Sequence, residues 1–183
     1  MIGLEVGKHV HTDTFIREIR ADTGSQPDAV AIPDLLTAQQ THHDLTPKKF
    51  IYDQAAGTGK SHVATALGFA ACTQGKRVRF WGATALVTHM LEMREQRDLK
   101  RFLTQIGKHD LIVLDELGYV PFSKAGAELL FEVVSRAYER QSLTVTTNLP
   151  FEQWNEVLDN ERLTGAVLDR LTHRCHILEA TGE

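Results

Sequence analysis

Two sets of residues in this chain have the types and spacing to do chemistry. The first lies in DQAAGTGKSH, residues 53–62. Gly57 and Gly59 let the backbone come close to phosphate oxygens, Lys60 supplies a point charge, and the Ser61 hydroxyl is within reach of a Mg²⁺ ion. The motif G-x-x-x-x-G-K-[ST] describes such a loop, and the contacts to an ATP ligand fall to Ala56, Gly57, Thr58, Gly59, Lys60, Ser61 and His62. The second set is Asp115 and Glu116, which close the apolar run LIVLDEL. A carboxylate at the tip of the strand beside the loop suits Mg²⁺, directly or through water, and assigns Asp115 with Ser61 to the metal. Glu116 is then placed to orient and deprotonate water. A small-molecule kinase would not need that second acid, whereas a hydrolase of ATP does, so the pair favours hydrolysis.

Such groups are useful only if a strand precedes the loop and a helix follows it, because the loop amides and the helix N-terminus then converge on one anion. From residue 49 onward short apolar runs alternate with helical patterns, the signature of an α/β domain with a parallel sheet covered by helices. FIYD, KRVRFW, LIVLDEL, SLTVTTNL and CHILEA read as five strands. SHVATALGFAACTQG reads as the helix behind the loop, with Gly75 just past its end, where a left-handed backbone is wanted. The insert GATALVTHMLEMREQRDLKRFLTQIGKHD is long enough for two helices, with Leu86, Met90 and Met93, then Leu99, Phe102 or Leu103, and Ile106 on apolar stripes. AGAELLFEVVSRAYER is helical, and FEQWNEVL with ERLTGAVLDRLTHR makes one or two more helices. Trp81, Phe122 and Trp154 are expected to be packing groups.

With 183 residues, 42% of them hydrophobic, the chain is sized for one domain with a core. Residues 49–183 are assigned to that domain, and residues 1–48 to an atypical, weakly structured segment with a short helix or two. No run of about 18 apolar residues and no apolar signal core is present, which predicts a cytoplasmic protein with no membrane partner. Cys72 and Cys175 are expected to be thiols rather than a disulfide or zinc site. His9, His11 and Asp13, and later His42, His43 and Asp44, read as ordinary polar loop residues. The net charge of −4 argues mildly against a dedicated nucleic-acid domain. Residues 76–110, however, carry eight basic against four acidic residues.

GTGKSHVATALG, KRVRFW, LIVLDELGYVPFS, AELLFEVVSRAYERQSLTVTTNLPF and LTGAVLDRLTHRCHILE resemble the IstB-like ATP-binding proteins, helper ATPases of insertion sequences. These are similar in turn to the DnaC-like helicase loaders and to the replication initiators of the AAA+ superfamily. The resemblance covers about residues 56–183. It implies a three-layer P-loop NTPase of AAA+ type with a five-stranded parallel sheet in the order 5-1-4-3-2, helices on both faces and no helical lid. It also implies homo-oligomers with ATP between subunits, double-stranded DNA as a ligand, and a transposase as partner. Two alternatives stand beside the transposition helper: a loader for a replicative helicase, and a truncated or degenerate copy that serves only as a binding module.

The resemblance assigns further roles. Asn148 in TTNLP matches the polar residue that contacts the γ phosphate and the attacking water. Arg170 matches the arginine finger offered to a neighbour's ATP, with Arg174 as second candidate and an ion pair to Asp169 as the bland alternative for Arg170. The insert resembles the extra helix of the initiator branch. If its helix is continuous, Arg94, Arg97 and Arg101 share one face with Lys100 beside them, and could track a phosphate backbone. The same spacing also describes a solvated face balanced by Glu92, Glu95 and Asp98. Gln54 stands where the loop motif wants glycine. A side chain there costs on the order of 1 kcal/mol if the turn is left-handed, weakening ATP binding about tenfold at most.

Overall fold

The structure, a computed structural model, describes residues 49–53, 59–138, 140–173 and 175–179. Residues 1–48 with their histidine and aspartate clusters, the loop residues 54–58 and Arg174 lie outside them. In chain order come β1 (Lys49–Asp53), α1 (Lys60–Thr73), β2 (Val78–Gly82), α2 (Ala83–Glu95), α3 (Leu99–Ile106), β3 (Leu111–Leu117), α4 (Lys124–Ala137) and β4 (Ser142–Thr147). A short 3₁₀ turn (Phe151–Gln153) then leads into α5 (Trp154–Leu158), α6 (Glu161–Thr172) and β5 (Cys175–Glu179).

The strands form one sheet in the order β2-β3-β4-β1-β5, and every pair is parallel. Read from the other edge, this is 5-1-4-3-2. Period-two alternation along β3 shows how the layers are built. Ile112 and Leu114 point into the larger core with Leu86, Met90, Leu130 and Val133 of α2 and α4, while Leu111 and Val113 face Ala64 and Ala71 of α1. Both faces of β3 are therefore covered, which is why the sequence runs apolar without a break there. Trp154 is buried, and its indole N–H donates to the Leu149 carbonyl at 3.1 Å, so this large side chain contributes apolar area without an unmet donor. Phe122 is buried as well, and Trp81 packs against the same core. Cys72 and Cys175 are free thiols, and burial pushes the Cys72 thiol up.

Two helix ends use the same device with different residues. After α1 the Gly75 N–H donates to Cys72 O and the Lys76 N–H to Ala71 O, with Gly75 at φ 76°. This pair of bonds ties off the last carbonyls of a helix through one left-handed residue, and glycine takes that position without steric cost. After α2 the Arg97 N–H donates to Arg94 O at 3.1 Å and the Asp98 N–H to Met93 O at 2.8 Å, with Arg97 at φ 63°.

The insert is thus two helices with a corner at residues 96–98, and a continuous helix carrying Arg94, Arg97 and Arg101 on one face is not what forms. The physical reason is the closed bond pattern at Arg97, which turns the chain before Leu99 restarts a helix. Leu86, Val87 and Met90 are buried on α2, and Leu103 and Ile106 on α3, so each helix buries its own stripe. Among the described residues, no helix is long and apolar enough to cross a membrane.

Candidate nucleotide site

Because all five strands are parallel, the C-terminal ends of β1, β3 and β4 lie on one edge of the sheet, where ligands of open α/β sheets bind. Gly59, at φ 80°, ends the loop after β1 and precedes α1 without a side-chain cap, and the first turn of α1 holds no acid. The helix begins instead with Lys60, a buried cation at the positive end of its own dipole. That end of a helix favours a bound anion.

Across the sheet edge the Ser61 hydroxyl donates to Asp115 Oδ1 at 2.9 Å. Asp115 stands near the end of β3 with β4 between that strand and β1, as the order 5-1-4-3-2 implies, and the bond spans β4. The Ser61 hydrogen is committed to the carboxylate, which leaves the hydroxyl lone pairs for a cation. Two oxygen donors of this kind, a hydroxyl and a carboxylate, fit Mg²⁺, which prefers hard ligands and keeps several of its waters. Among the described residues there is no cluster of three or more His, Cys, Asp or Glu to compete as a metal centre.

β3 is irregular at this point. Its register with β4 shifts between Leu114 and Leu117, so three residues of β3 advance while β4 advances two. The extra residue makes a bulge, a feature that re-aims side chains and is frequent beside active sites. Glu116 sits in it at φ 56°, a left-handed backbone that costs a non-glycine residue about 1 kcal/mol. Asp115 is half-buried against Ser61, and Glu116 is exposed.

Sequence reasoning missed Thr146. Buried in β4, its hydroxyl donates to Asp115 Oδ1 and accepts from the Glu116 N–H at 2.9 Å. In the sequence it is one β-branched residue in the run SLTVTT, and only the bulge on the neighbouring strand gives it a task.

The other expected residues fall in three places. Asn148 follows β4 on the same edge and is exposed, and His62 is exposed on the first turn of α1. Ala56, Gly57 and Thr58 lie outside the described residues. Arg170 is half-buried on α6, donates to the Ala166 carbonyl at 2.8 Å, and stacks its guanidinium on Phe131 of α4 at 4.7 Å. Arg94, Arg97, Lys100 and Arg101 are all exposed around the α2–α3 corner.

The model of the IstB-like ATP binding proteins matches residues 34–183. The chain belongs to that family. Over 127 residues this IstB-like chain is 40% identical to an insertion sequence ATP-binding protein of Sinorhizobium fredii, a match covering 69% of the chain and 43% of that relative. It spans about half the length of the curated relatives it matches. Among solved structures, AMPPCP-bound DnaA from Aquifex aeolicus aligns over 87% of the chain and 48% of its own length, with TM-score 0.68 and 20% identity. The DnaC helicase loader aligns over 97% of the chain and 95% of its own length, with TM-score 0.61 and 17% identity. At these identities the likeness shows the fold alone, an α/β P-loop NTPase fold resembling DnaA and DnaC.

Proposed function

We propose that this IstB-like chain hydrolyses Mg²⁺-ATP, binds double-stranded DNA through backbone contacts, and assists a transposase. The observation that carries the reading is the bond from Ser61 to Asp115 beside an outward-turned Glu116, at the edge where α1 begins with a buried lysine. The insertion sequence names of the relatives support the transposition role, with a transposase as partner.

Lys60 and the amides at the start of α1 bind the β and γ phosphates of ATP. Ser61 and Asp115 hold Mg²⁺, which supplies charge neutralisation to the transferring phosphoryl group. Glu116, free of the Asp115–Ser61 pair, takes a proton from the attacking water. Asn148 orients that water, and Arg170, stacked on Phe131, reaches a neighbouring subunit's ATP in a homo-oligomer. Such a finger is worth about a thousandfold or more in rate. The exposed basic corner of Arg94, Arg97, Lys100 and Arg101 meets phosphates of the DNA backbone, a sequence-independent contact. The reading is of an AAA+ ATPase domain over residues 49–183, acting in the cytoplasm.

The test is nucleotide binding and turnover by the purified chain. Lys60→Ala is expected to lose ATP affinity by about a hundredfold, the equivalent of roughly 2.7 kcal/mol. Glu116→Gln is expected to keep that affinity and lose turnover. Full turnover in either variant contradicts the assignment.

A further inference from the structure

We propose that Thr146 is a positioning residue for hydrolysis, a role that rests on the reading of the site as an ATPase. The argument starts from the bulge. Where β3 gains a residue against β4, the Glu116 N–H is turned out of the regular ladder. A backbone donor left in a partly dry place needs a partner, and the one it finds is a side chain, the Thr146 hydroxyl, at 2.9 Å.

A hydroxyl has one hydrogen to give. With its lone pair occupied by the Glu116 N–H, Thr146 gives that hydrogen to Asp115 Oδ1, the same oxygen that accepts from Ser61. One buried atom thus ties together the backbone of the proposed base and the carboxylate of the proposed metal site.

Two consequences follow from that geometry. The bond to its N–H holds Glu116 in the left-handed backbone at φ 56° with its side chain exposed, while Asp115 turns to Ser61. The bond to Asp115 Oδ1 fixes the rotation of that carboxylate, so its metal-facing side is set before a cation arrives. Without the hydroxyl, nothing named in this network opposes a return of Glu116 to ordinary strand backbone, which would re-aim its side chain.

Threonine also has a face to fit. Thr144 and Thr146 are both buried on β4, yet the Thr144 hydroxyl has no hydrogen-bond partner among the described residues. Two residues apart, they share one side of the strand. The engagement of Thr146 is therefore specific to the level of the bulge and is not a general property of threonine in this strand.

The experiment compares wild type with Thr146→Val, which keeps shape and removes the hydroxyl, and Thr146→Ser, which keeps the hydroxyl and removes a methyl. Two readouts are taken on the full chain: hydrogen exchange at the Glu116 amide without nucleotide, and steady-state ATP turnover with Mg²⁺. Thr146→Val is expected to speed Glu116 exchange at least about tenfold and to lower kcat about a hundredfold, the scale of a misplaced catalytic group, with KM little changed. Thr146→Ser is expected to restore both.

Unchanged exchange in Thr146→Val, or exchange that changes while turnover does not, overturns the proposal. Equal damage in Thr146→Ser overturns it too, because volume and not the hydroxyl would then be what matters. A wild-type chain with no turnover instead defeats the ATPase reading itself, an outcome distinct from wild-type turnover that survives in Thr146→Val.

Discussion

Arg97 and Glu116 are two non-glycine residues held in left-handed backbone, at φ 63° and φ 56°, and the difference between their surroundings separates structural strain from strain at a site. At Arg97 the conformation is enforced by main-chain bonds alone, from Arg97 and Asp98 back to Arg94 and Met93, on an exposed corner. Any residue that tolerates the conformation would close that corner. At Glu116 the conformation is enforced by a buried side chain on another strand, which also bonds the Asp115 carboxylate. The same cost of about 1 kcal/mol ends a helix in one place and aims a functional group in the other.

The comparison is broken or sharpened first by putting glycine at both positions. Glu116→Gly relaxes the backbone and removes the carboxylate. Relief of the left-handed strain and the added freedom of glycine in the unfolded chain roughly offset, so stability should stay within about 1 kcal/mol of wild type. Turnover should fall at least about a hundredfold, at the lower end of what a positioned acid or base contributes. Urea unfolding and an ATPase assay on the same sample check both halves. Retained turnover would mean that the bulge aims nothing.

A smaller effect is expected for DNA. Replacing Arg94, Arg97, Lys100 and Arg101 by alanine one at a time should weaken binding uniformly across sequences. Each residue that meets a phosphate should lower the slope of log affinity against log salt by about one. Since the corner separates α2 from α3, these residues need not act alike, and equal slopes for all four would favour a single shared face over the corner described here.

Arg97→Gly isolates the strain from the chemistry. Stability should change by between zero and a gain of about 1 kcal/mol, with turnover in the absence of DNA untouched. A clear loss of stability, read from the urea midpoint, would contradict the left-handed assignment at this corner.

The smallest effect expected concerns acid. The Arg77 backbone N–H and guanidinium hold the Asp110 carboxyl below its ordinary value of 3.8, with the N–H at 2.8 Å as the larger influence. A depressed folded value contributes stability that is present above the unfolded value and lost as pH falls through the folded one. Asp110→Asn should therefore flatten stability against pH only below about pH 4, and by less than about 1 kcal/mol because the pair is exposed.

Much of this architecture is legible in the sequence because period two and period 3.6 separate cleanly there. LIVLDEL coincides with β3 residue for residue, and Gly75 marks the end of α1 because glycine is the usual left-handed residue. The end of α2 is not legible for the converse reason: Arg97 does glycine's work, and no Gly or Pro punctuates residues 94–101. In the site, Lys60, Ser61 and Asp115 are legible from local spacing. Thr146 is not, since its role exists only where β4 comes between β1 and β3 and meets the bulge, a long-range consequence of topology.

The central claim is that the edge holding Lys60, Ser61, Asp115 and Glu116 hydrolyses ATP. Its most direct test is ATP turnover by the purified chain, with and without double-stranded DNA, beside Glu116→Gln. The account predicts turnover that DNA stimulates and that disappears in Glu116→Gln while ATP binding persists. Absence of both turnover and ATP binding in the wild-type chain, or equal turnover in Glu116→Gln, would contradict it.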